Sequence, residues 1–215
     1  MKKKILLNEG QYHLLFENDN QKFIDEVKNL ISSGQIENIE TALQMGKWMK
    51  AEGIFDVKKY LAEEYKGLVK FLKSVNYQVK NGNYIENIVY MLNLTRVDLG
   101  VAALGILPKE IGQLKNLTTL IATNNHLKDL PKEIGNLTNL EWLALADNHL
   151  TSLPSEIGRL QNLRILSLPN NRLTSLPSEI GRLQNLTTLN LSNNPLPLQE
   201  KANIEKMLPN CDIEF

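Results

Sequence analysis

The chain has 215 residues, 42% of them apolar, and its 24 basic residues are balanced by 24 acidic ones. That length holds one elongated domain or two small ones, and a formal charge of zero provides no field for nucleic acid or an anionic membrane surface. A single cysteine excludes an internal disulfide framework, and no apolar run approaches the roughly 18 residues of a membrane span.

The amino terminus, MKKKILLNEG, has the basic start of an export leader, but only Ile5, Leu6 and Leu7 precede Asn8 and Glu9. A leader needs roughly 7 to 15 apolar residues at that place. A cytoplasmic protein is therefore expected, with secretion by a route other than a signal peptide as the exception. Residues 4–16, KILL and YHLLF about Asn8-Glu9-Gly10, read as a hairpin.

Asp19 or Asn20 is placed to cap a helix reaching Ser33, with Phe23, Val27 and Leu30 or Ile31 along one face, and Gly34 stops it. A second helix is predicted from Glu37 to Ala51, turning Ile39, Leu43, Met45 and Trp48 inward. A third runs from Phe55 to Val75 with a break near Gly67 and a stripe of Val57, Tyr60, Leu61, Leu68, Phe71 and Leu72. Asn81-Gly82-Asn83 is a loop, and Tyr84 to Leu92 a fourth helix. Composition changes here: eleven of the thirteen aromatic residues lie in 1–93, whereas every arginine lies at or after Arg96.

From Leu107 to Leu198 the chain repeats one 23-residue phrase four times, beginning at Leu107, Leu130, Leu153 and Leu176. Self-similarity at such a period marks a solenoid, because one unit cannot bury its apolar side without a neighbour. Within a unit, Leu143 and Leu145 are two residues apart and share one face of a short strand, leaving Trp142, Ala144 and Ala146 on the other. Asn125, Asn148, Asn171 and Asn194 follow the strands, where an amide can pair with backbone groups the sheet leaves bare, giving an internal ladder. The return path is too short for a crossover helix: proline fixes an extended entry, and Ile111 and Leu114 are one tight turn apart. Gly112, Gly135, Gly158 and Gly181 answer either a left-handed backbone or a crowded one.

Leu94, Val97, Leu99, Leu104 and Leu107 keep the leucine spacing, but Ala102 stands where the asparagine belongs, so residues 84–106 are a degenerate first repeat. Ala122 likewise replaces the second strand leucine, leaving room that a neighbour must fill. Beyond Leu198, Gln199 to Met207 reads as a short amphipathic helix with Ile204 and Met207 inward, and Cys211 to Phe215 as a last strand. The organisation expected is a mostly helical cap or docking region over 1–83, the degenerate repeat, four repeats over 107–198 and a closing cap over 199–215.

These motifs resemble the leucine-rich repeat family in its 23-residue LPxEIGxLxxLxxLxLxxNxL class, found in many bacterial proteins and in intracellular Ras-pathway scaffolds. The resemblance covers residues 94–198; LISSGQIENIETALQMGK and the tail are also similar to the amino-terminal helices and closing caps of bacterial members. It implies an α/β fold: a curved solenoid with a concave parallel sheet, a convex face of loops and short 3-10 turns, and a helical amino-terminal cap region. It implies binding of proteins on the concave face and no catalysis.

Stacking the copies places equivalent residues in columns. The first outward column is Arg96, Thr119, Trp142, Ile165 and Thr188; the second is Asp98, Ile121, Ala144, Ser167 and Asn190. The repeat has no need of Trp or Ile there, so Trp142, Ile165 and Ile121 form a candidate apolar patch with Arg96, Asp98, Asp147 and Arg172 around it. His126, His149 and Arg172 make a further column at the strand exits. Imidazole and carboxylate are ordinary metal ligands, but nothing supplies a matched third ligand beside the histidines and Asp147, so no metal is expected. The Asn-x-Thr sequences at Asn93, Asn116, Asn136 and Asn185 match a glycosylation acceptor, yet the repeat wording accounts for them. No nucleophile is set beside a base, and no phosphate loop or dinucleotide fingerprint occurs, so neither enzyme nor cofactor is expected. The function expected is a scaffold for a protein or peptide; the alternatives are a host-directed bacterial effector or surface adhesin, and a metal-dependent enzyme accessory.

Overall fold

Six three-residue strands carry the architecture in the computed structural model: β1 (Arg96–Asp98), β2 (Thr119–Ile121), β3 (Trp142–Ala144), β4 (Ile165–Ser167), β5 (Thr188–Asn190) and β6 (Asp212–Glu214). They form one sheet in chain order, with every neighbouring pair parallel. The structure describes residues 63–74 and 91–215, together with isolated positions 25, 27–29, 31, 42 and 60. Two compact units are present, residues 1–63 and 64–215.

In the first unit, Val27, Ile31 and Ala42 are helical and fully buried, and Lys28 lies 5.8 Å from the Tyr60 ring centroid. Val27 and Ile31 are on the stripe predicted for the first helix. The hairpin over 4–16, the caps at Asp19 and Asn20, the second-helix stripe of Ile39, Leu43, Met45 and Trp48, and the loop at Asn81-Gly82-Asn83 lie outside the described residues. Among the described residues, no helix is long and apolar enough to cross a membrane.

The second unit opens with α1 (Lys66–Ser74), which follows a turn at Tyr65, so the helix break stands two residues before the Gly67 position expected. Leu68, Val69 and Leu72 are its buried stripe. α1 sits over the start of the solenoid: Gln113 Nε2 donates to the Glu64 carbonyl at 3.1 Å, and a Cβ on Gly67 would meet the Glu110 side chain.

Register follows from the leucine spacing. Val97, Leu120, Leu143, Leu166 and Leu189 align across the sheet and are all fully buried, while the residues on either side of each point the other way. Successive strands are offset by 23 residues until Thr188 pairs with Asp212, where the closing cap adds one.

Opposite the sheet run four 3-10 segments, Lys109–Gln113, Lys132–Asn136, Ser155–Arg159 and Ser178–Arg182. Each begins after a proline with φ between −64° and −72°, and each closes by a leucine N–H donating to the carbonyl three residues back, as from Leu114 to Ile111. Five residues leave no room for wider helical turns. The repeated glycine answers crowding: a Cβ on Gly112, Gly135 or Gly158 would lie 2.5 Å from the carbonyl oxygen of Glu133, Glu156 or Glu179 in the next copy.

The asparagine ladder forms as the sequence predicts. Asn148 Oδ1 accepts from the Leu127 N–H at 3.0 Å, while its Nδ2 donates to the carbonyls of Ala122, Leu145 and Ala146. Asn125, Asn171 and Asn194 repeat the arrangement. One residue before each ladder asparagine the backbone turns left-handed, at Asn124, Asp147, Asn170 and Asn193, with φ from 52° to 58°. Asn and Asp tolerate that region; Val101, at the same place in the degenerate repeat with φ 58°, tolerates it poorly.

At the far end, α2 (Leu198–Met207) buries Ile204 and half-buries Met207, as the amphipathic pattern predicts. Its Glu200 carboxylate accepts from the Leu176 N–H at 3.0 Å, joining the cap to the last repeat.

Candidate protein-binding face

The outward columns are where the 23-residue spacing puts them. Arg96, Thr119, Trp142, Ile165 and Thr188 are register partners across β1 to β5, and so are Asp98, Ile121, Ala144, Ser167 and Asn190. Trp142 is 39% exposed and Ile165 37%, side by side on adjacent strands, and Ile121 is half-buried one strand away. Ala144 stands in an outward column yet is only 6% exposed, because so short a side chain is overshadowed by Ile121 and Ser167 beside it. The patch is therefore carried by the tryptophan and the two isoleucines.

Arg96 and Asp98, two residues apart on β1, close an exposed ion pair of 3.6 Å at one end of the ribbon. Asp98 also accepts from the Gly100 N–H at 3.0 Å. An exposed pair of this kind adds about 0 to 1 kcal/mol to stability, so its weight is in the polar rim it gives the patch.

Asp147, His149 and Arg172 lie at the strand exits and not beside Trp142. There an open polar groove of about 600 Å³ runs along the rim, past Asn124, His126, Asp147, His149, Asn170 and Arg172. The imidazoles of His126 and His149 stack with centroids 5.6 Å apart and planes at 28°. Asn193 Nδ2 donates to Asn170 Oδ1 at 2.8 Å, and Asn170 Nδ2 donates to Asp147 Oδ1 at 2.8 Å, so a relay of amides ends on the carboxylate. Among the described residues, no three or more His, Cys, Asp or Glu side chains are grouped to hold a metal.

Cys211 is half-buried, and burial first and Asp212 second push its thiol up to about 11, away from the thiolate a nucleophile requires. Burial lowers Lys115 from the ordinary lysine value.

One feature escapes the sequence reading. Asn116, Asn139, Asn162 and Asn185 donate from Nδ2 to the carbonyls of Leu92, Lys115, Thr138 and Gln161 at 2.7 to 2.9 Å, a second amide ladder on the rising side of the stack. Two of these, Asn116 and Asn185, head Asn-x-Thr sequences, and their amides are held by the neighbouring copy. The 23-residue recurrence of that asparagine was the available signal.

Residues 132–207 match a family model described as a leucine-rich repeat region. Among solved structures, a leucine-rich repeat protein of Leptospira interrogans is 41% identical, with a TM-score of 0.52, over 60% of this chain and 39% of the other. An internalin of Listeria monocytogenes is 25% identical with a TM-score of 0.45, over 64% of this chain and 38% of the other. A TDR receptor is 40% identical over 43% of this chain and 16% of the other, with a TM-score of 0.41. No curated protein matches. The chain spans about two fifths of the length of the first of these structures. The 23-residue copies, the six-stranded parallel sheet and its 3-10 turns are those of a leucine-rich repeat solenoid, and residues 132–207 match the leucine-rich repeat model directly.

Proposed function

We propose that this protein is a non-catalytic scaffold that grips a protein or peptide on the outward columns of its sheet, with Trp142 as anchor and Ile165 and Ile121 beside it. The observation that carries this reading is the exposure of Trp142 and Ile165, 39% and 37%, on a ribbon whose repeat is satisfied by threonine at the same positions. Large apolar side chains ringed by polar ones are the usual centre of a binding surface, and a tryptophan there often carries about 2 kcal/mol or more. Arg96 and Asp98 at one end and Asp147, His149 and Arg172 along the exit rim supply the polar surround.

The test is affinity capture from native lysate with the wild-type chain and with Trp142→Ala, followed by titration of the captured partner. The variant is expected to keep its far-ultraviolet circular dichroism and lose about 2 kcal/mol of partner affinity. A partner that binds both chains equally would show that the anchor lies elsewhere.

A further inference from the structure

We propose that the exit rim is a proton-gated seat for an acidic peptide segment, in which His126 and His149 take one carboxylate and Arg172 takes a second. This rests on the reading of the sheet as the partner-binding face and adds the chemistry of the segment that crosses its edge. It uses three side chains that the repeat does not require, His126, His149 and Arg172, in a groove otherwise lined by the Asn and Asp of the ladder and the left-handed turns.

The row is held by backbone. The N–H groups of His126, His149 and Arg172 donate to the carbonyls of Leu104, Leu127 and Leu150 at 2.8, 2.8 and 2.9 Å, so three equivalent positions follow one another at the strand spacing. That spacing is about 4.8 Å. The midpoint of the histidine pair therefore lies one and a half spacings, about 7 Å, from the Arg172 position. Alternate residues of an extended peptide are also about 7 Å apart, so acidic side chains at i and i+2 reach the pair and the guanidinium together. A single small anion cannot span both.

Charge selects the ligand. Asp147 and Arg172 are the charged groups lining the groove; their formal charges cancel, and Asp147 already accepts from the Asn170 amide. With neutral imidazoles the rim carries no net charge. Protonation of the two imidazoles turns the rim cationic. Two imidazolium rings stacked at 5.6 Å repel each other, and a carboxylate between them removes the repulsion. Proton uptake and acidic-ligand binding thus favour each other by linkage.

The experiment uses the full chain and a rhodamine-labelled Gly-Glu-Gly-Glu-Gly peptide, titrated by fluorescence anisotropy at pH 5.5 and 7.5 in low salt. Binding is expected to be at least tenfold tighter at pH 5.5. The ratio should fall to about one in a His126→Asn, His149→Asn double variant whose melting temperature matches wild type. Arg172→Gln should weaken binding at both pH values. Equal affinity at the two pH values, a ratio that survives the double variant, or equal binding of Gly-Gln-Gly-Gln-Gly would each overturn the proposal. The peptide has no apolar side chain for the Trp142 patch, so its pH ratio reports on the rim alone, while partner capture with Trp142→Ala reports on the anchor, and failure of either is seen separately.

Discussion

The interior copies and the two ends of the solenoid are built from the same phrase under different constraints. In the interior, every copy is gripped on both sides: Asn148 bonds into the copy before it, and Gly135 lies under the Glu156 carbonyl of the copy after it. At the first copy Ala102 replaces the ladder asparagine and Val101 occupies the left-handed turn. At the last, a Cβ on Gly181 would meet Met207 at 3.4 Å, an ordinary contact, because a helix and not another 3-10 turn lies against it. Repetition in the sequence therefore overstates the uniformity of the forces. The same residue is obligatory inside the stack and optional at its end.

The comparison breaks most visibly at the asparagine. Asn148→Ala leaves the Leu127 N–H and the Ala122 carbonyl buried and bare, at about 1 to 3 kcal/mol each, so urea unfolding should show a loss of about 3 kcal/mol or more. A stability within 1 kcal/mol of wild type would mean the ladder is ornamental. Next is Gly135→Ala, which must push the Glu156 carbonyl aside and should cost about 1 to 3 kcal/mol, against a change of under about 0.5 kcal/mol for Gly181→Ala. If thermal melts show equal losses, crowding is not what selects the glycine. Val101→Asn should gain about 1 kcal/mol by relieving a β-branched residue at φ 58°, read as a raised denaturation midpoint. The smallest effect concerns chemistry: Cys211, with its thiol pushed up to about 11, should react slowly with iodoacetamide at pH 7.5 and accelerate as pH rises toward that value.

The leucine columns and the interior asparagines were legible because both report on one dimension, the distance between equivalent places in successive copies. Trp142 could be assigned outward since Leu143 and Leu145 already claimed the inward face. What was not legible needed contact between copies. The sequence left two reasons for the glycines, and the structure selects close approach; the left-handed backbone falls instead on Asn124, Asp147, Asn170 and Asn193. Half of the second amide ladder, Asn116 and Asn185, hid inside Asn-Leu-Thr wording that has another familiar meaning. His126 and His149 are 23 residues apart, which promises nearness but says nothing of ring orientation. Ala144 shows the limit of alternation, since outward direction does not make a small side chain accessible.

The interior asparagines also give the stack a polarity. Each one reaches backward, taking the leucine N–H 21 residues earlier and the carbonyl 26 residues earlier, so every coil is finished by its successor. Peeling the molecule from its carboxyl end strips the Leu173 N–H and the Leu168 carbonyl of their partner in Asn194, while peeling from the other end leaves only an amide that solvent can serve. The chain behaves like a zip whose slider rests at the tail, and amide exchange should spread from there.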